Sequence, residues 1–471
     1  MSLFNRVSAI MPRADKHAGR RRRLRFIGKS RPVFIRDVFS TFATEVFTIG
    51  TNFAVGILLA RVLSVADRGT MVLVMSLPMM IVSLATLGIP QSCIYLIDRK
   101  KHDANLVFGT MLTQALIISL ITLLLLISLR QIILGTLLRS LPPGQWVPLI
   151  AMIPVLMVDT MAVAILSAKQ RFDLYNVHRA TLSLLLLIGF AISLLFLRGG
   201  LSAAVMTFII ATTLTTTIGL WFASREVRIR LRWDHGLAME GLRFGLKSYF
   251  QYVVSILNYR LDLYLLAFWL APTQVAFFGV ATSLAEMAWF IPNSVGTVLF
   301  PRLAHAHMDE VHEITARVSR NTVVITGALV LGLLAVAWFL VPLAYGAPYR
   351  AAVPPLIILL PGIVIMSLFK VLTRDYTSRD RQQIPLLASS VALVLNVALN
   401  WLLIPRWAAV GAAVASTGGY LISGVLLMAL FIHESGLTWQ AVLLPRKEEL
   451  VGHWRWTRMH LKNLQRARER V

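Results

Sequence analysis

Cysteine and charge are both scarce in this sequence. Its 471 residues include a single cysteine, Cys93, so no disulfide can form within the chain. Charged residues make up only 14% of the sequence, whereas hydrophobic residues make up 57% and the mean hydropathy is +0.72. Such a composition excludes a soluble enzyme and indicates an integral membrane protein. The first residues lack the apolar core of a cleaved signal peptide, and a basic tail stands there instead.

Acidic residues are few: 22 of them face 46 lysines and arginines, for a net charge of +24. A basic composition can indicate nucleic-acid binding. The sequence contains no recognisable nucleic-acid-binding motif, and we expect no nucleic-acid partner. Most basic residues lie in the two tails and in alternate loops, on one side of the predicted spans. The positive-inside rule therefore predicts that both termini are cytoplasmic, and the basic segments are expected to contact anionic lipids. Twelve spans are predicted, at about 39–60, 70–92, 106–129, 147–167, 177–197, 200–223, 243–270, 273–301, 322–345, 351–372, 384–404 and 409–432.

The spans form two halves that repeat. Residues 58–64 align with 265–271 without a gap, and 203–205 align with 412–414 near the end of each half. Six spans per half give both halves the same orientation, so the repeat is parallel. We expect an all-α integral membrane protein with 12 transmembrane helices in two six-helix bundles around a central cavity. The expected domains are a basic cytoplasmic tail (1–38), an N-terminal bundle (39–224), a cytoplasmic hinge loop (225–242), a C-terminal bundle (243–432) and a basic amphipathic cytoplasmic tail (433–471).

Polar residues within the apolar spans indicate where the cavity lies. Arg260 lies in the seventh span, and the first span has a polar face that includes Glu45 and Asn52. A charged residue inside a bilayer costs about 2.5–3.5 kcal/mol on the insertion scale, so we expect these two spans to face each other across water. In the seventh span, five further polar residues recur at helical spacing as one stripe: Lys247, Gln251, Ser255, Asn258 and Asp262.

Four carboxylates lie within the predicted spans: Glu45, Asp159, Asp262 and Glu286. A low dielectric disfavours the charged form of a carboxylate, so each is a candidate to bind a coupling ion. Glu286 and Asp159 are expected near the middle of the membrane, where an alternating-access carrier exposes its ion site to each side in turn. Arg260 is the one base that we expect deep within a span.

The sequence offers no motif for a nucleotide or a metal, and we expect no cofactor. Residues 241–248, GLRFGLKS, lack the spacing of a phosphate-binding loop and open a membrane helix instead of following a strand. Residues 305–313 contain three histidines without H-E-x-x-H spacing, which favours an amphipathic connector over a metal site. The C-terminal tail places apolar residues on one face among many basic ones, which is typical of a helix on the inner membrane surface.

Residues 400–405, NWLLIP, are followed by 410–416, VGAAVAS. This pair resembles the signature N-x-x-L-I-P … G-A-A-x-A-[ST] of the Wzx-like polysaccharide flippases, members of the multidrug/oligosaccharidyl-lipid/polysaccharide exporter superfamily. Arg260-x-Asp262, 299–301 (LFP) and 59–63 (LARVL) are also similar to that family. The resemblance runs from about residue 35 to 435 and leaves both tails uncovered.

The resemblance implies a flippase, not an enzyme. Such a protein moves a polyprenyl-diphosphate-linked oligosaccharide across the bacterial inner membrane for O-antigen, capsule or exopolysaccharide synthesis. A proton or sodium gradient would drive it, and a polysaccharide polymerase and export machinery would be its partners. The expected cavity departs from the family, because it holds four acids and one base where family cavities are usually cationic. Arg260 is expected to hold the diphosphate, and the substrate-binding residues under this resemblance are Arg260, Lys247, Gln251, Asn258, Asn52 and Asn293.

Two other functions stay open from the sequence. A multidrug-type exporter of the same fold would exchange cations through the acidic residues. A membrane-integral polysaccharide polymerase or glycosyltransferase would be expected to carry a large outer loop or a soluble domain, whereas the longest predicted outer loop is only about 130–146.

Overall fold

A computed structural model describes residues 31–305 and 308–445 of the chain. Within these ranges every regular element is a helix. The predicted tails 1–38 and 433–471 lie largely outside the described residues, as do two residues of the 305–313 connector. The α-helices are α1 (Arg31–Val62), α2 (Val65–Ala85), α3 (Ile89–Asp98), α4 (Ala104–Ser128), α5 (Arg130–Thr136), α6 (Trp146–Ala168), α7 (Phe172–Phe190), α8 (Gly200–Glu226), α9 (His235–Trp269), α10 (Pro272–Glu286), α11 (Phe290–His305), α12 (Met308–Tyr345), α13 (Val353–Ser378), α14 (Gln383–Ser435) and α15 (Trp439–Leu443).

Ten helical segments of the described chain are long and apolar enough to cross a membrane. The longest, α14, has 53 residues and is interrupted at Ala408, whose backbone is not helical (φ 51°, ψ −129°). Pro405 precedes this bend, and proline removes a backbone donor and clashes with the preceding turn. The predicted eleventh and twelfth spans both lie in α14. Helix α9 has 35 residues but is not among the ten. The all-helical membrane architecture is confirmed, and the twelve spans in two six-helix bundles stay a prediction.

Side-chain caps fix where several helices begin. Ser64 accepts a hydrogen bond from the Asp67 amide at 3.1 Å at the start of α2. Asp234 accepts one from the Leu237 amide at 2.9 Å at the start of α9. Asp103 caps α4, and the hydrogen bond from the Asn105 amide lowers the pKa of the Asp103 carboxyl, because it stabilises the charged form. The polar cap residues therefore separate consecutive apolar helices.

Close backbone contacts join the two halves of the chain. Helix α2 packs on α10, where a Cβ added to Gly69 would lie 1.8 Å from the Pro272 carbonyl oxygen. Helix α3 packs on α9, where the rings of Tyr95 and Phe244 stack with centroids 3.8 Å apart. Helix α1 packs chiefly on α7 of its own half, and α9 chiefly on α14. Parts of the polar stripes on α1 and α9 are therefore turned into their own halves.

The membrane topology is testable by reporter fusions. We expect fusions after Arg198 or Ala271 to report an outside location, and fusions within 225–232 to report an inside location, because the loop 225–232 carries four arginines. Alkaline phosphatase activity measures the first location and fluorescent-protein folding measures the second. An outside signal from 225–232 would contradict the orientation.

Candidate functional site

A bidentate ion pair joins α9 to α10. Arg260 donates from Nη1 to Glu286 Oε1 at 3.2 Å and from Nη2 to Oε2 at 3.0 Å. The Arg260 side chain is 44% exposed and that of Glu286 is 20% exposed. Arginine presents a planar fork of donors that fits carboxylate and phosphate equally well. The exposed part of this guanidinium is therefore available to a second anion.

Two further cationic side chains, both on α13, lie near the Arg260–Glu286 ion pair. Lys370 Nζ donates to Asn293 Oδ1 at 3.3 Å, and both Glu286 and Arg374 lie within electrostatic range of the Lys370 ammonium group. The Arg374 side chain lies across Gly296, where an added Cβ would approach its Nε to 2.9 Å. Lys370 and Arg374 are four residues apart and so share one face of α13. We call Arg260, Lys370 and Arg374 the cation cluster.

Aromatic rings hold Lys370 in position. Its Nζ lies 4.6 Å from the ring centroid of Trp289 and 5.3 Å from that of Tyr259. Tyr420 completes the group, with its ring 5.8 Å from Trp289 and 6.3 Å from Tyr259. A cation over an aromatic face is attracted to the ring electrons, and the attraction grows when water is excluded. The rings thus stabilise a charged lysine inside the protein.

The expected balance of four acids and one base is wrong for this site. Glu286 is the one acid beside the three cations of the cluster in the described part of the chain. Lys370 lies inside the predicted span 351–372, near its end, and Arg374 lies just beyond it. The spacing of the two residues along one helix face was the signal that could have revealed them. The site is cationic.

Asp262 and Asn258 do not line this site. Asp262 is 2% exposed, and its Oδ1 accepts a hydrogen bond from Asn400 Nδ2 at 2.6 Å while its Oδ2 accepts one from the Ser416 hydroxyl. Asn258 is also buried and donates to the Ser389 carbonyl at 3.0 Å. All three partners belong to α14. The expectation that the whole stripe on α9 faces the cavity is therefore wrong, because the part of the stripe that contains Asn258 and Asp262 packs against α14.

Asp262→Asn is expected to destabilise the protein by about 1–3 kcal/mol, because an amide would replace an acceptor that two donors share. The measurement is the thermal unfolding midpoint of the purified protein in detergent. Asp98→Asn is the matched control, since Asp98 is a partly exposed carboxylate at the end of α3 that pairs with Lys101. An equal midpoint for both variants would contradict the structural role of Asp262.

Two of the predicted acids lie in the N-terminal half and contact basic side chains there. Glu45 on α1 accepts from Arg179 Nη1 at 2.7 Å. Asp159 on α6 lies 3.2 Å from His178 Nε2, and the same carboxylate oxygen accepts from the Thr216 hydroxyl at 3.2 Å. Arg179 and His178 lie at the start of the predicted fifth span. Glu45 and Asp159 were predicted as candidate residues, but their pairing with Arg179 and His178 was not.

Small residues make room for the His178 ring. A Cβ added to Gly219 would lie 2.9 Å from the ring, and the His178 Nδ1 atom is buried with no hydrogen-bond partner. The imidazole is thus enclosed at the junction of α6, α7 and α8, whereas the Asp159 side chain is 23% exposed. One side of the Asp159 side chain is therefore exposed, and the other side contacts His178 and Thr216.

The remaining predicted substrate residues are spread along the helices. Asn52 is exposed on α1, Gln251 is half-buried on α9, and Asn293 is exposed on α11 beside Lys370. Lys247 lies on α9, and its side chain is outside the described residues. In the described part of the chain, no group of three or more histidine, cysteine, aspartate or glutamate side chains could hold a metal ion.

The described chain is an all-helical protein with membrane-length helices, and the arrangement of these helices is similar to that of solved transporters. The fold resembles that of a solved structure titled "Lipid II flippase MurJ, inward closed conformation", with a TM-score of 0.71, 14% identity, and coverage of 85% of this chain and 90% of that one. It also resembles an inward-facing multidrug resistance MATE family transporter of the MOP superfamily, with a TM-score of 0.65, 13% identity, and coverage of 83% and 94%. A Vibrio cholerae MATE transporter, VcmN, has a TM-score of 0.57 and 17% identity, over 87% of this chain and 99% of that one.

Sequence comparison identifies the family. Residues 58–354, more than half of the chain, match the family described as "Polysaccharide biosynthesis protein", and the chain belongs to that family. A Shigella flexneri protein named "Putative O-antigen transporter" is 21% identical over 290 residues, which are 59% of this chain and 67% of that protein. The resemblance to polysaccharide flippases is confirmed. The Shigella relative is named as a putative transporter, and the similar structures are named as a flippase and transporters.

Proposed function

We propose that this protein is a flippase that moves a polyprenyl-diphosphate-linked oligosaccharide across the bacterial inner membrane. The translocated oligosaccharide would be used for O-antigen, capsule or exopolysaccharide synthesis. Both termini of the protein would be cytoplasmic. The observation that carries the proposal is the cation cluster, in which three cations share one acid. A bound diphosphate would supply the negative charge needed to balance the excess positive charge of this cluster. The family and the name of the Shigella relative support a polysaccharide substrate.

The proposed substrate site has a charged part and a polar part. Arg260 binds the diphosphate in bidentate fashion, and Lys370 and Arg374 add positive charge at its edge. Asn293, which contacts Lys370, is proposed to bind the sugar together with Gln251, nine residues before Arg260 on α9, and with Asn52 on the opposite half. Lys247 stays a candidate on α9, and Asn258 is withdrawn because its amide is buried against α14.

Ion coupling is proposed to follow from competition for Arg260. In this structure Glu286 holds the guanidinium through both carboxylate oxygens. A substrate phosphate that binds Arg260 in place of Glu286 leaves the Glu286 carboxylate next to a second anion. The repulsion between the two negative charges favours proton uptake by Glu286. Release of the phosphate then returns Glu286 to Arg260 and frees the proton. One arginine thus links substrate occupancy to the charge of Glu286.

The three other acids within the predicted spans, Asp262, Asp159 and Glu45, are proposed to bind coupling ions at positions outside the cation cluster. Asp262 is surrounded by amide and hydroxyl groups of α14, and the Asn400 Oδ1 atom is buried without a hydrogen-bond partner. Carboxylate, amide and hydroxyl oxygens are ligands that a hard cation such as sodium prefers. Asp159 with its histidine, and Glu45 with Arg179, are proposed as proton sites of the N-terminal half.

The proposal is tested with the full-length protein in proteoliposomes. A fluorescent polyprenyl-diphosphate oligosaccharide is placed in the membrane, and its loss from the accessible leaflet is measured with and without an imposed proton or sodium gradient. We expect gradient-dependent translocation that empty liposomes lack. Translocation of a cationic dye in place of the oligosaccharide would overturn the proposal.

A multidrug-type exporter is the second candidate, and the fold likeness to MATE transporters favours it. A cationic drug needs accessible acids, whereas Glu286 is bound to Arg260 and lies beside two more cations. The site therefore suits an anion better than a cation. A polysaccharide polymerase and export machinery are the proposed protein partners, and the basic segments are proposed to contact anionic lipids.

A further inference from the structure

Three arginines of the N-terminal half reach the C-terminal half at one end of the helices. Arg61 lies at the end of α1, Arg68 in the first turn of α2, and Arg139 between α5 and α6. We call them the arginine junction. The charge asymmetry predicts that this end, opposite the loop 225–232, faces outward.

Two of these arginines donate to carbonyls at helix ends. Arg61 Nε donates to the Ala344 carbonyl at 2.9 Å and its Nη2 donates to that of Leu343, in the last turn of α12. Arg139 Nη2 donates to the Phe268 carbonyl at 2.8 Å, in the last turn of α9. The last carbonyls of a helix lack partners within the helix. The two halves are thus joined here by charged donors and neutral acceptors.

Arg68 is buried at the same junction without a counter-charge. It is 8% exposed, its Nε atom has no hydrogen-bond partner, and no carboxylate of the described residues pairs with it. Tyr345 and Tyr349 are its electrostatic neighbours, and the buried Tyr349 hydroxyl also lacks a partner. The adjacent acid, Asp67, already accepts a hydrogen bond from the Ser64 hydroxyl at 2.7 Å. A buried guanidinium and an unpaired hydroxyl together lack an acceptor, which an anion would supply.

The surroundings of the junction are equally poor in acids. The predicted loops on this side contain Asp67 as their one acid and no lysine. Their cations are all arginines, the side chain that binds phosphate oxygens in bidentate fashion: Arg61, Arg68, Arg130, Arg139, Arg198, Arg350 and Arg406. An anion that reaches this end meets no competing carboxylate except Asp67.

We propose that the arginine junction binds a phosphate or diphosphate group, and that its arrival opens the contact between the halves at this end. Hydrogen bonds to a charged acceptor are about twice as strong as those to a neutral one, so a phosphate displaces the helix carbonyls from Arg61 and Arg139. Arg68 supplies the uncompensated charge that attracts it. The inference rests on the proposed function for its natural ligand, the diphosphate of the transported lipid. Free phosphate from outside is the other source of the same chemistry.

The test measures the distance between the halves by electron–electron double resonance. Spin labels are placed at Val147→Cys on α6 and Trp407→Cys on α14, two exposed positions, in the full-length Cys93→Ala protein in nanodiscs. The probes are a short-chain polyprenyl diphosphate, sodium pyrophosphate and inorganic phosphate. We expect the polyprenyl diphosphate to lengthen the distance. Arg68→Gln is expected to raise the concentration for half response at least tenfold, whereas Arg130→Gln, at an exposed arginine on the same side, is expected to change nothing.

Arg61→Gln provides a second, independent readout. This variant removes donors to the α12 carbonyls, so we expect a longer distance without any probe. A response to pyrophosphate and inorganic phosphate equal to that of the lipid would assign the site to free anions, and a response to the lipid alone would assign it to the substrate. The inference is overturned if no probe changes the distance, or if Arg68→Gln responds as the parent does.

Failure of the inference and of the proposed function are distinguishable. A protein that translocates the lipid-linked oligosaccharide but shows no Arg68-dependent opening disproves the arginine junction alone. A protein whose junction opens with diphosphate but which translocates no oligosaccharide disproves the proposed function alone.

Discussion

Arg260→Lys is expected to lower oligosaccharide export by about 10- to 100-fold while the amount of protein in the membrane stays unchanged. The guanidinium makes two parallel hydrogen bonds to Glu286 and is expected to make two to the diphosphate. A lysine keeps the charge but offers a single point of contact. The loss of one charge-assisted hydrogen bond costs about 1.5–3 kcal/mol, which corresponds to the expected factor.

The measurement is surface polysaccharide in a strain that depends on this protein, together with flipping by the purified variant in proteoliposomes. Arg130→Lys is the matched control, because Arg130 is an exposed arginine on α5, outside the cation cluster. Normal export by Arg260→Lys would show that Arg260 serves only as an ion-pair partner for Glu286.

Glu286→Gln is expected to abolish the response of transport to an imposed ion gradient, and Glu45→Gln to leave most of it. Glutamine keeps the shape of the side chain but cannot ionise, so Arg260 no longer alternates between a carboxylate and the substrate. Glu45 pairs with Arg179 in the other half. Its loss removes one ion pair but leaves the competition for Arg260 intact.

Proteoliposomes with a proton gradient, a sodium gradient or neither provide the measurement. The initial rate of flipping is compared between the two variants and the parent protein. Transport without a gradient should persist in Glu286→Gln, because the three cations that bind the substrate remain. An undiminished response of Glu286→Gln to both ions would exclude a coupling role for this residue.

The sequence predicted the all-helical membrane architecture and the family, whereas the number of spans stays a prediction. Long apolar runs specify membrane helices through local composition alone, since backbone groups in lipid must be satisfied within the segment. The signature at 400–416 and the Arg260-x-Asp262 motif indicated the family that residues 58–354 then matched. Arg260 and Glu286, which pair with each other in the structure, were both predicted as site residues, because a charge within an apolar span is conspicuous on its own.

The direction in which each helix turns its polar residues was decided by the tertiary structure. Asp262 lies two residues from Arg260, yet α14 encloses Asp262 while Arg260 stays accessible. Lys370 and Arg374 join the cluster because α13 packs beside α11; their common helix face can be read from the sequence, but the helix that this face contacts cannot. Helical periodicity fixes which residues share a face, whereas the rotation of that face toward a neighbour depends on packing between residues far apart in the chain. The sequence by itself therefore determined an all-helical membrane protein with charges inside its spans, and the packing of the helices decided that Arg260, Lys370 and Arg374 lie together beside one acid.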